Sequence, residues 1–120
     1  DQGISLNPAI DIGQIQGGFV MALGYLLTEE VCVGKDGKLL NLGTWEYKLP
    51  SAYDIPIEMN VHLLKNAPNP SGILKSKASA EPPLALVGSV YFAIKQAIYA
   101  ARSTAGNSDF VELPIPLTVQ

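Results

Sequence analysis

Apolar residues recur every three or four positions near the start of the chain. They are Ile12, Ile15, Phe19, Leu23 and Leu26. This spacing places them on one face of an α-helix. Asn7 and Pro8 suit a helix start, since asparagine is a preferred N-cap and proline fits the first helical position. The pattern predicts a helix from about Pro8 to Thr28, with Asp11 near the positive end of its dipole.

A second helical pattern occupies the later part of the chain. Its apolar positions are Leu84, Val87, Tyr91, Ile94, Ile98 and Ala101. Pro82 fits the first helical turn, where its missing N–H would be unpaired in any case. We therefore expect one helix from about Pro82 to Arg102, ended by the turn-forming residues Ala105, Gly106 and Asn107.

Patterns typical of β-structure lie between the two helices. Asp36-Gly37 separates two short apolar runs and predicts a β-hairpin with strands at about 30–33 and 39–42. Residues 57–64 alternate apolar and polar side chains, which predicts a half-buried strand with His62 on its exposed side. The sequence thus predicts an α+β fold with two main helices, a hairpin and one additional strand.

Aromatic residues and prolines are interleaved in the stretch "GTWEYKLPSAYDIP", residues 43–56. This composition disfavours both a helix and a central strand. We expect an ordered loop anchored by Trp45, Tyr47 and Tyr53. A recognition groove built from the same rings is the alternative interpretation.

Composition narrows the possible partners and cofactors. The 120 residues are 48% hydrophobic with a net charge of −3, and the eight Lys and Arg are scattered, so neither disorder nor nucleic-acid binding is expected. The longest apolar run, residues 19–27, is too short for a membrane span. Cys32 and His62 are the only cysteine and histidine, which predicts no zinc or iron–sulfur site and favours a reducing compartment.

Three glycines form a stripe along the first predicted helix. Gly13, Gly17 and Gly24 fall within about 40° of one another around the helix axis. Each costs roughly 1 kcal/mol of helix stability relative to alanine. The stripe therefore indicates a close approach, either of another helix or of a ligand.

One carboxylate precedes the second helix in the stretch "SKASAEPPLAL", residues 76–86. Glu81 is a poor N-cap by residue preference. The helix dipole favours its ionised form, whereas apolar neighbours disfavour that form. A rigidly held carboxylate of this kind suits a general base. An acidic residue that merely favours the helix start is the plainer interpretation.

Three segments carry a family resemblance. "DQGISLNPAIDIGQIQGGFVMALGYLLTEE", "GTWEYKLPSAYDIPIE" and "SKASAEPPLALVGSVYFAIKQAIYAAR" resemble, in order and over nearly the whole chain, the xanthine dehydrogenase and aldehyde oxidase family of molybdenum hydroxylases. The resemblance implies that residues 1–120 are a partial molybdenum-cofactor-binding domain, the C-terminal part of that region in a longer, cytoplasmic, homodimeric enzyme. The opening without methionine also suggests a piece of a longer chain.

The resemblance also assigns residues and cofactors. Glu81 matches the family's catalytic glutamate in Gly-Glu-Pro-Pro, and Gln14 matches a glutamine beside the molybdenum–molybdopterin cofactor. The implied reaction is hydroxylation of an aldehyde or a purine-like N-heterocycle with oxygen from water, which requires the two helix starts to meet in space. The parent enzyme would also carry two [2Fe-2S] clusters and FAD, neither bound by this segment. We expect the isolated segment to be inactive.

The chain departs from the family pattern at Ala80, where the family usually has glycine. An alanine there matters if the position needs a positive φ or if the methyl group approaches the metal. A non-catalytic relative that serves as a scaffold is therefore an alternative, and an autonomous binding module using the three aromatic residues is another. The segments "GTWEYKLP" and "SKAS" resemble aldehyde oxidases more than mammalian xanthine dehydrogenases. The sequence does not identify the substrate.

Overall fold

Helix α1 (Pro8–Leu27) is the longest element of the computed structural model, which describes residues 2–72 and 78–119. The predicted bounds are confirmed to within one residue. Asn7 occupies the N-cap position, although its side chain makes no capping hydrogen bond, and Pro8 lies in the first turn. The helix ends where the Thr28 backbone N–H donates to the carbonyl oxygen of Gly24 at 2.9 Å.

The second helical pattern forms two helices rather than one. Helix α2 (Glu81–Leu86) and helix α3 (Gly88–Thr104) are separated by Val87. The Ser89 hydroxyl donates to the Leu86 carbonyl at 2.7 Å, so a side chain accompanies the break. The predicted stop is confirmed, because Gly106 has φ +81° and the Asn107 N–H donates to the Arg102 carbonyl at 2.9 Å.

The predicted hairpin is wrong, although its turn forms. Gly37 has φ +79°, but pairing is limited to one antiparallel bridge between Val33 and Leu39. Beyond it the Asn41 side chain takes the place of the backbone ladder: its amide oxygen accepts from the Cys32 N–H at 3.0 Å, and its NH₂ donates to the Glu30 carbonyl. The apolar side chains of both segments are largely exposed, and an isolated two-stranded hairpin is marginally stable.

The predicted strand at residues 57–64 is also wrong. From Met59 to Leu64 exposure alternates as the sequence pattern indicates, and His62 is exposed as expected. Within residues 2–72 and 78–119, however, no neighbouring strand pairs with this segment, so its backbone does not join a sheet. The α+β class is therefore wrong for the part of the chain that the structure describes, which forms three α-helices and a short 3₁₀ turn at Ala52–Asp54.

The loop at residues 43–56 is anchored by Tyr47 rather than by three aromatic rings. The Tyr47 hydroxyl donates to Glu29 Oε2 at 2.6 Å, and the hydrogen bond to Glu29 raises the pKa of Tyr47. Trp45 and Tyr53 are exposed, the latter at 99%. Ser51 and Asp54 form a capping box around the 3₁₀ turn, and these hydrogen bonds lower the pKa of Asp54.

The structure has an unusually large solvent-accessible surface for its mass. Its solvent-accessible area is 9289 Å², compared with about 6,300 Å² for a folded monomer of this mass. The radius of gyration is 18.5 Å, compared with about 14 Å for a globular domain of this length. Much of the apolar surface is therefore not covered by the chain itself.

Two helical stretches have the length and composition of a membrane-spanning helix. Pro8–Leu27 has a mean hydropathy of 1.2 and Glu81–Thr104 of 1.4. The core helices of large proteins share these properties. The expectation that no membrane is involved therefore stays a prediction.

Candidate active site

Glu81 is the first residue of α2, and two prolines follow it. Pro83 is buried, whereas the Glu81 side chain is exposed, so the described residues do not place this carboxylate in an apolar environment. Ala80 precedes it with φ −81° and ψ −32°, which is ordinary helical backbone. Alanine is therefore accommodated without strain at this position, and the concern about a positive φ is removed.

The start of α2 lies against the middle of α1. A Cβ atom built on Gly18 would lie 2.6 Å from the Ala80 carbonyl oxygen and 3.2 Å from the Ala80 Cα. Gly18 is buried, and the contact is between backbone atoms. The absence of a side chain at position 18 therefore allows the two helices to approach this closely.

The three glycines of the predicted stripe have different surroundings. A Cβ at Gly24 would lie 2.6 Å from the Pro50 ring, so this glycine serves packing. Gly13 and Gly17 have open space beside them, with nothing within 4 Å of a built Cβ. The sequence missed Gly18 because it lies off the stripe, about 100° from Gly17 around the axis. The Gly17-Gly18 pair was the signal available.

Gln14 lies on α1 one turn before Gly18, about 40° from it around the helix axis. Its side chain is exposed, as is that of Glu81. The junction of α1 with the start of α2, at Gly18 and Ala80, forms in the middle of α1 rather than at its first turn. Gln14 lies one turn before this junction on α1, and Glu81 directly follows Ala80.

Asp11 is a buried carboxylate whose partners were not predicted. Its Oδ2 accepts from Gln2 Nε2 at 2.9 Å and from the Ser5 hydroxyl. These bonds hold residues 2–5 against the first turns of α1. The sequence indicated only an interaction with the helix dipole, since a contact with a preceding loop leaves no periodic signal.

A cleft of about 660 Å³ opens between α1, residues 56–62 and the start of α2. Its apolar lining includes Ile15, Phe19, Met59 and Pro82. Neither Gln14 nor Glu81 lines it. The cleft and the two predicted site residues thus occupy different surfaces of the same helix pair.

The described residues contain no group of three or more His, Cys, Asp or Glu side chains able to hold a metal ion. Cys32 is a free, half-buried thiol.

Comparison with known proteins gives a consistent result. Residues 1–56 match the model of a molybdopterin cofactor-binding domain, a stretch that includes Gln14 but not Glu81. The chain is 50% identical to xanthine dehydrogenase 1 of Arabidopsis thaliana over 98% of its length, and 48% identical to xanthine dehydrogenase of Dictyostelium discoideum over 100%. It is 43% identical to probable aldehyde oxidase 3 of Oryza sativa subsp. japonica over 99% of its length.

The chain is 50% identical to a xanthine dehydrogenase/oxidase of Mus musculus over 94% of its length, so the nearer likeness to aldehyde oxidases that two short segments indicated is not supported. The chain spans 8% or 9% of the length of each of these relatives. Because identity extends over nearly all 120 residues and to both named groups, the chain belongs to the xanthine dehydrogenase and aldehyde oxidase family.

Proposed function

We propose that this chain forms the part of a molybdenum-dependent hydroxylase in which Glu81 is the general base and Gln14 contacts the cofactor. The observation that carries the proposal is the contact between Gly18 and Ala80. It brings the residue bonded to Glu81 against the helix that carries Gln14. Membership of the family supplies the chemical context for this junction.

The residues at the junction fit a molybdopterin cofactor. The exposed Gln14 amide has two N–H donors and one acceptor, which suits a heteroatom-rich organic group. Gly13 and Gly17 leave the neighbouring helix surface free of side chains. When bound, the molybdenum cofactor supplies the two-electron oxidant for the carbon under attack.

Glu81 would act on the oxygen nucleophile. In the proposed reaction a C–H bond of the substrate and one water give a C–O–H group, two electrons and two protons. A Glu81 carboxylate oxygen accepts a proton as the oxygen attacks an electron-poor carbon, such as that of an aldehyde or a purine-like N-heterocycle. The rigid Pro82-Pro83 pair holds the backbone that carries this carboxylate.

The remainder of the parent protein would provide what this chain lacks. We propose that it supplies the other cofactor contacts, two [2Fe-2S] clusters and FAD to carry the electrons away, and the surfaces of a cytoplasmic homodimer. The exposure of both Gln14 and Glu81 supports this division, because a buried redox cofactor needs cover that the described residues do not provide. The isolated 120 residues are therefore expected to retain no molybdenum.

Substitution of Glu81 in the full-length protein tests the proposal. Glu81→Gln keeps the side-chain size and removes the proton acceptor, so we expect normal molybdenum content and a loss of about 10²–10⁴-fold in kcat. The control is Glu112→Gln, an exposed carboxylate on another segment, which should leave kcat unchanged. Near-normal turnover by Glu81→Gln would remove Glu81 from the mechanism.

A further inference from the structure

We propose that Gly18 is a positioning residue for Glu81, because the missing side chain at position 18 sets how closely the start of α2 approaches α1. This inference rests on the proposed function, in which Glu81 is the base. The glycine stripe predicted from the sequence did not include Gly18.

The contact involves atoms that cannot rotate away. A Cβ at position 18 would lie 2.6 Å from the Ala80 carbonyl oxygen and 3.2 Å from both the Ala80 carbonyl carbon and Cα. The flexible end of a side chain could move aside, but these are backbone atoms. The Ala80 carbonyl carbon is also bonded directly to the Glu81 nitrogen, so a displacement of this peptide moves Glu81 with it.

The rest of α2 offers little room for compensation. The helix has only six residues, begins with two prolines after Glu81, and buries Pro83. Val87, directly after the helix, is 0% exposed. With its far end fixed in this way, α2 would respond to a methyl group at position 18 by swinging its first turn, which carries Glu81, away from α1.

The contact is specific to this one glycine of α1. The adjacent Gly17 has open space at the position of a Cβ, and Gly24 meets the Pro50 ring rather than α2. A general loss of helix flexibility would therefore not reproduce the effect expected at position 18. Because a misplacement of about 1 Å near reacting groups can cost on the order of 10²-fold in rate, a small shift of α2 should be measurable.

The test compares Gly18→Ala with Gly88→Ala in the full-length, molybdenum-loaded protein. Gly88 is also helical, and nothing lies within 4 Å of a Cβ built there. We expect Gly18→Ala to lower kcat by about 10–100-fold. Because only the position of Glu81 changes, KM should stay within about twofold of the parent value. The molybdenum content should be unchanged, and the crystal structure of Gly18→Ala should show a displaced Glu81. Gly88→Ala should behave as the parent protein does.

A second comparison separates positioning from general damage. If Gly18 acts through Glu81, then adding Gly18→Ala to Glu81→Gln should lower kcat no further. A further loss, a loss of molybdenum from Gly18→Ala, or normal kcat in Gly18→Ala would each overturn the positioning role. Substantial turnover by Glu81→Gln alone would instead overturn the proposed function.

If Gly18→Ala does not fold, a double variant tests the positioning role of Gly18. Glycine at position 80 widens the accessible φ and ψ values there, so that the carbonyl can turn away from a methyl group at position 18. Gly18→Ala combined with Ala80→Gly should therefore fold, load molybdenum and recover at least part of the turnover. Folding and molybdenum loading without any recovery of kcat would contradict the proposal, and so would a failure of the double variant to fold.

Discussion

Helices α1 and α3 have similar apolar periodicities but different surroundings. Helix α1 has four buried residues and packs along α2, whereas α3 has none among its 17 residues. Phe92 of α3, which lies outside its predicted apolar face, is 58% exposed, whereas Tyr91, Ile94 and Ile98 of that face are half-buried. The predicted apolar face of α1 is also half-buried, and the buried residues of α1 are Asp11, Gly18, Ala22 and Gly24. Periodicity therefore identifies the apolar face of a helix but does not identify which of its residues another helix packs against.

Hydrogen bonds join α3 to the C-terminal segment. The Tyr91 hydroxyl donates to the Leu113 carbonyl at 2.9 Å, and the Tyr99 hydroxyl exchanges two hydrogen bonds with the Val111 backbone. The same segment reaches α1 through the Leu117 N–H, which donates to the Leu26 carbonyl at 2.7 Å. The C-terminal segment thus links α1 to α3.

The largest expected effect on stability concerns the point where α2 and α3 join. Val87 is fully buried, so Val87→Ala in the full-length protein should lower the free energy of unfolding by about 2–3 kcal/mol through lost burial and a residual cavity. Val119→Ala, at a valine that is 103% exposed here, is the matched control and should cost less than about 0.5 kcal/mol. Urea unfolding measures both.

An equal loss of unfolding free energy in Val87→Ala and Val119→Ala would contradict the buried position of Val87 and the exposed position of Val119. A large cost at Val119 would mean that the rest of the full-length protein covers the C-terminal segment. A small cost at Val87 would mean that the junction of α2 and α3 is not a packing centre. Either result would remove the contrast between the two helices.

An intermediate effect is expected where the C-terminal segment joins α3. Tyr99→Phe removes a hydroxyl that both donates to and accepts from the Val111 backbone, which should cost about 1–2 kcal/mol because two backbone groups lose their partner. Tyr25→Phe, at an exposed tyrosine of α1, serves as the control. Hydrogen exchange at Val111, followed by mass spectrometry, should increase in Tyr99→Phe only. No change would show that the segment is held by other contacts.

The start of α1 and the end of α3 were predictable from the sequence because they depend on neighbouring residues, whereas the break at Val87 was not predicted. Pro8 at the start of α1 and Gly106 at the end of α3 act within one helical turn. The junction at Gly18 and Ala80 was not predictable from local patterns, since its partners are 62 positions apart and a glycine contact leaves no periodic signal. Gln14 and Glu81 came from the family resemblance, and their roles stay predictions.

The prediction of β-structure was wrong for a different reason. The alternation at residues 57–64 correctly indicated alternating exposure but carried no information about a pairing partner. At residues 30–42 the turn was correct, whereas the Asn41 side chain replaced the backbone ladder. A strand needs a neighbour, and the sequence pattern of one segment does not supply it.

The smallest expected effect concerns the anchoring of α1 at its C-terminal end. The Tyr47 hydroxyl donates to Glu29, and this bond raises the pKa of Tyr47 above its ordinary value of 10.0. A raised pKa means that the folded state favours the neutral phenol. The stabilisation is therefore fully present below pH 10 and is lost as the pH rises through the raised value.

Trp45 reports on this anchor, because it is the only tryptophan of the 120 residues and lies two positions before Tyr47. In the 120-residue chain, we expect its fluorescence to change above pH 10 in the parent sequence and to change less over that range in Tyr47→Phe, which retains the four other tyrosines. Glu29→Gln retains an acceptor but removes the charge, so its transition should move to lower pH than that of the parent. Identical titrations of all three chains would show that Tyr47 does not anchor the loop.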